Sequence, residues 1–133
     1  MITGNLQRRW QKNEPAVYDK ETHIVCLDIK AEKQMDESGT KVDGFSFIPV
    51  EIDSQIDYGH IKSQLIEAGF AQKDEFGLLM NAVEGILESV RNAETWDDFK
   101  QGMQSSDVTK FTDFCTFREL CADAAKEVMK EYE

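Results

Sequence analysis

The chain has 133 residues, of which 41% are hydrophobic and 31% charged. Eight Phe and only two Pro give it the means to bury one core and take it out of the disordered class. Its formal net charge of −11 repels phosphate backbones and argues against routine nucleic-acid binding. No stretch has the layout of a signal peptide or approaches the roughly 18–20 apolar residues of a bilayer span, so no membrane partner is expected. Three cysteines, an odd number at unpatterned spacing, suit a reducing compartment, and the expected location is cytoplasmic.

The acidity is uneven. Through Gln55 seven Lys/Arg face ten Asp/Glu, net −3; beyond it eight face sixteen, net −8. The hydrophobic texture changes at the same place, from a β-rich part (1–55) to a helical part (56–133) of one expected domain. The opening "NLQRRW" supplies a candidate strand and the locally basic patch of an acidic chain. Arg8, Arg9 and Trp10 are therefore an expected docking point, since Trp and Arg anchor interfaces. "THIVCLDIKAE" alternates Val25, Leu27, Ile29 and Ala31 against Cys26, Asp28, Lys30 and Glu32, the pattern of a half-buried strand. The turn-rich "DESGTK" and the apolar "FSFIPVEID" then complete a hairpin with strands near 22–34 and 42–52. Pro49 cannot donate to a sheet ladder, so it predicts an edge, bulge or break, and the parity change from Phe45/Phe47 to Ile48/Val50 fits a bulge there.

From Asp57 the apolar period is helical. Asp57 caps a first helix with Ile61, Leu65 and Ile66 inward and Gly69 as its stop. In the next, Phe76, Leu79, Met80, Val83, Ile86, Leu87 and Val90 form an amphipathic stripe that is expected to face the core. Gly77 and Gly85, eight apart, share a face where another backbone could approach. "TWDDF" has the form of a capping box, with Thr95 and Asp98 opening a short helix. The last helix carries Phe111, Phe114, Cys115, Arg118, Cys121, Ala122, Ala125, Val128 and Met129 as its predicted stripe, with Phe117 off that line. The fold expected is α+β: an antiparallel sheet of two or three strands packed on three or four helices.

Chemistry-bearing templates fail one by one. On a continuous helix Cys115 and Cys121 would lie about 10 Å apart between Cα atoms, beyond the ~7 Å a disulfide allows. Their five intervening residues also exceed the spacing of zinc pairs, so both sulfurs, with Cys26, are expected to pack. A calcium loop beginning at Asp36 has Lys41 where Gly is needed and Phe47 where Glu is needed. Phosphate-loop and nucleophile-elbow signatures are absent. The carboxylate pairs Asp74/Glu75 and Asp97/Asp98 sit at helix starts, where they meet the dipole. No catalytic, cofactor or metal residues are assigned.

The leading expectation is a non-enzymatic interaction or assembly module with a protein partner or self-association. An alternative is a small enzyme or ligand-binding protein with a dispersed site at Tyr58, His60, Cys115 and Asp28. In that site His60 would serve as base to a thiol nucleophile. A further alternative is an acidic nucleic-acid mimic of the type made by phage or other mobile elements, for which a one-domain acidic chain is a common format.

Overall fold

A computed structural model describes residues 6–104 and 106–133. The strands are β1 (Arg9–Gln11), β2 (Tyr18–Asp19), β3 (Ile24–Ala31), β4 (Gln34–Met35), β5 (Lys41–Val42) and β6 (Phe45–Glu51). The helices α1 (Tyr58–Gly69), α2 (Gln72–Asn92), α3 (Trp96–Gly102) and α4 (Ser106–Lys130) follow them. The architecture is α+β. The main sheet is antiparallel in the order β1-β6-β3-β2, four strands rather than two or three, and β4–β5 forms a separate two-stranded ribbon. The candidate strand at "NLQRRW" is present as β1, overlapping it at Arg9 and Trp10; β2, of two residues, is too short to show a period of two, so the sequence pattern misses it.

Val25 pairs with Val50 and Leu27 with Ile48, and these four join Ile61, Leu65, Phe114, Phe117, Cys121 and Val128 in the core. The helix layer therefore covers one face of the β3–β6 hairpin. Pro49 sits in register opposite Cys26, with no bulge at that point. The Cys26 amide donates away from β6, to Val17 O, and β1 ends its pairing at Phe47. The missing proline N–H thus faces the unpaired edge of β6, where no ladder bond is lost. The bulge lies instead in β3. Leu27 is opposite Ile48 but Lys30 is opposite Ser46, so one extra residue intervenes. Asp28 takes a left-handed φ of 49° there, a conformation Asp tolerates better than most residues. The bulge swaps the faces beyond it, so Ile29 and Ala31 do not continue the inward series of Val25 and Leu27.

Asp57 caps α1, its carboxylate accepting from the His60 amide at 3.0 Å, and Thr95 caps α3, accepting from the Asp98 amide at 3.2 Å. In α4 the buried positions are Val108, Phe114, Phe117, Cys121, Ala124, Ala125 and Val128. The inward line is therefore rotated from the predicted one: Phe117 stands at its centre, fully buried, and Arg118 is exposed. Phe70, just past α1, meets Phe114 edge-on at 4.9 Å and Phe117 at 5.4 Å between ring centroids, which locks α1 to α4.

Helix α2 departs furthest from its expected orientation. It turns Ala82 and Ser89 into the fold, with Leu78 partly buried against the core. Its large apolar stripe points to solvent: Phe76 is 64% exposed, Val90 57% and Leu87 50%, with Leu79, Met80 and Val83 near 40%. At 100° per residue the two faces are about 130° apart around the helix. The close helix approach also falls elsewhere than expected. A Cβ on Gly77 would meet open space, whereas one on Gly102 would come within 2.2 Å of Ser89 Oγ, so α3 reaches α2 through Gly102.

Candidate interaction surface

The basic patch at the N-terminus is engaged within the sheet. The Arg8 guanidinium donates to the carbonyl of Asp28 at 3.1 and 3.2 Å and to Ser46 Oγ at 3.0 Å, and it contacts the Asp28 carboxylate as well. Lys30 Nζ lies 3.3 Å from the same carboxylate. Arg8 thus reaches across β6 and fastens β1 to the β3 bulge, satisfying the carbonyl that the bulge takes out of the ladder. Trp10 is half-buried. Its indole N–H donates to Glu32 O at 2.9 Å, and its ring lies so close to Gly44 that an added Cβ there would fall 2.3 Å from Cζ2. Gly44 is what admits the indole. Arg9 is exposed. The unpaired edge of β6 beyond Phe47 contains Pro49, which blunts it against strand addition.

Of the four residues of the alternative site, His60 and Asp28 are engaged by different partners. His60 Nε2 is 2.8 Å from Asp53 Oδ2, and this contact holds the Asp53 carboxyl below its usual range. Asp28 belongs to the Arg8 cluster. Tyr58 is 36% exposed in the first turn of α1. Cys115 lines a shallow cleft with Lys62, Arg118, Glu119 and Ala122. His60 is paired with a carboxylate rather than a thiol, so the base–nucleophile couple is not assembled.

Cys26 and Cys121 are buried, and burial raises both thiols, Cys121 to about 12. Neither has thiolate character near neutral pH. Cys26 also lines an open cleft of about 440 Å³ between β3 and α4, whose lining mixes apolar residues such as Leu27, Leu120 and Ala124 with charged ones of both signs. A protonated thiol gives that cleft no nucleophile. Among the described residues no group of three or more His, Cys, Asp or Glu is placed to hold a metal ion. Asp36, first position of the failed calcium template, instead accepts from the amides of Ser38 and Thr40 and from Ser38 Oγ, which lowers its pKa and closes the β4–β5 turn. No described helix is long and apolar enough to cross a membrane.

What the surface does present is apolar. From Phe76 to Val90 the α2 stripe covers 15 residues, an axial rise of about 21 Å. Glu84, Glu88 and Arg91 flank it on one side and Glu75 on the other. Past the end of α2, Trp96 is 66% exposed, stacked on Phe99 at 5.4 Å and 25°, with Lys100 Nζ 5.5 Å from its ring centre. That stack presents the indole in a fixed pose. The periodicity of α2 revealed this stripe; what the sequence could not reveal was that Leu78, Ala82, Gly85 and Ser89, a narrower and smaller set, would take the packing role. No family model matches the chain, and neither a curated protein nor a solved structure matches it.

Proposed function

We propose that the protein is an interaction or assembly module whose contact surface is the outward apolar face of α2. The observation that carries this reading is the exposure of six large apolar side chains on one helix face: Phe76, Leu79, Met80, Val83, Leu87 and Val90. Scaled by their exposure, these side chains leave roughly 500 Å² of contiguous apolar surface in water, at the upper end of what monomeric proteins show without a partner. The helix does not need this face for its own packing, because it docks on α3 and α4 through smaller residues. A charged rim around an apolar centre is the layout of a recognition surface. Asp28, Asp36, Asp53, Asp57 and His60, by contrast, are engaged in the sheet, in turns and at the cap of α1.

The test is a photo-crosslinking residue at position 87, with the same probe at the inward position 82 as control. Adducts formed at 87 and not at 82, and lost in a Leu79→Glu/Leu87→Glu background of unchanged circular dichroism, are the expected result. An α2 face that forms no adduct with any protein, including itself, overturns the reading.

A further inference from the structure

The arrangement of the α2 stripe bears on what could cover it. The apolar positions 76, 79, 80, 83, 86, 87 and 90 are symmetric about residue 83: Phe76 mirrors Val90, Leu79 mirrors Leu87, and Met80 mirrors Ile86. All seven lie within about 60° of Val83 around the helix. A two-fold axis passing beside Val83 would therefore lay the stripe antiparallel on a second copy of itself. Every apolar level would meet an apolar level, and the largest side chain, Phe76, would sit level with the smaller Val90. This is the self-complementarity that an isologous dimer requires.

We infer, resting on the interaction reading above, that the partner of this face is a second copy of the same chain, paired through α2 in antiparallel register centred on Val83. Charge selects the same orientation. The first turn of α2 carries Asp74 and Glu75 and its last turn Arg91. Antiparallel pairing brings the dipole-positive end of one helix, with Asp74 and Glu75, level with the dipole-negative end of the other, with Arg91, whereas parallel pairing sets like dipole ends side by side. The area is sufficient for a modest dimer. About 500 Å² from each copy gives about 1,000 Å² in the pair, at the lower limit of specific interfaces, so a weak, concentration-dependent dimer is expected. Each copy carries −11, so pairing works against mutual repulsion and should tighten as salt is added.

The geometry makes a covalent test available. Facing helices at ~8–10 Å place the two Val83 Cα atoms about 4–5 Å apart, within disulfide reach. Residue 90 and its own copy are separated by about 21 Å along the axis in the antiparallel register but adjacent in a parallel one. The experiment uses the full chain carrying Cys115→Ser, with Val83→Cys or Val90→Cys, under mild oxidation, beside sedimentation equilibrium of the unmodified chain and of Leu79→Glu/Leu87→Glu. The expected results are a dimer that tightens with salt, a disulfide at 83 and none at 90, and affinity weakened by about 100-fold or more in the double Glu variant. Circular dichroism of that variant, unchanged, shows that the loss is of pairing and not of folding. A chain that stays monomeric at several hundred micromolar, a dimer indifferent to the Glu pair, or a disulfide at 90 in place of 83 overturns the proposal. If the probe at 87 links a different protein and never a second copy, self-pairing is overturned while α2 remains a docking face.

Discussion

Two phenylalanines that sequence periodicity treats alike should differ sharply when truncated. Phe117 is fully buried beneath Phe70, whereas Phe76 is 64% exposed. Phe117→Ala removes a buried ring and leaves a cavity that the α1–α4 seam cannot close, for which about 3–5 kcal/mol is the expected loss. At ~0.28 kcal/mol per kelvin for a chain of this length, that is a fall of about 10–18 °C in Tm. Phe76→Ala gives up little shielded area and gains helix propensity, so its cost should stay below about 1 kcal/mol. The assay is urea unfolding followed by far-UV circular dichroism at about 1 μM protein, where association contributes nothing to stability. A Phe76→Ala midpoint lowered as far as that of Phe117→Ala would refute the outward placement of α2 and every functional statement built on it.

Other expectations follow from single contacts. Gly102→Ala drives a methyl into Ser89 Oγ and should cost about 1–3 kcal/mol, and Ser89→Gly in the same chain should recover much of it; failure of that rescue would show that α3 does not meet α2 there. In the native protein a thiol reagent should modify the half-buried Cys115 first and leave the fully buried Cys121 until unfolding. Because the fold raises Cys121 from 9 and Tyr18 from 10, each to about 12, it favours their protonated forms. The stability these two groups contribute is full below pH 9 and is lost as pH rises through 12, and Cys121→Ala should flatten that decline in an alkaline titration. Asp53 runs the other way. Its lowered pKa holds stability above the usual carboxylate range and releases it as pH falls, and His60→Ala should move the Asp53 carboxyl upward by NMR titration.

Where local chemistry alone decides an outcome, the sequence was a sound guide. Asp57 and Thr95 cap the helices they were expected to cap, and the paired strands at Val25–Leu27 and Ile48–Val50 follow their alternation. Prediction strayed where a residue answers to something distant. The parity of β3 breaks at Asp28 because Arg8, twenty positions earlier, supplies donors for the bulged carbonyl. Arg8 and Trp10 read as free anchors from composition; their engagement with Asp28, Ser46 and Glu32 depends on a β1–β6 pairing that no local pattern encodes. In α4 the off-line Phe117 proves central because α1 and Phe70 approach from the side the Cys115–Arg118 line does not face. For α2 the amplitude of the stripe was right and its direction wrong. A helix buried in its own core and one awaiting a partner share the same period, and only the position of α3 and α4 tells them apart.

The claim on which the account turns is that α2 shows water its large apolar face and keeps its small one inside. Labelling rates decide this directly, with single cysteines at 79, 83, 87, 82 and 89 placed in turn in the Cys115→Ser chain. At submicromolar concentration modification should be fast at 79, 83 and 87 and slow at 82 and 89. The reverse order would contradict that claim, for then the stripe would be core after all.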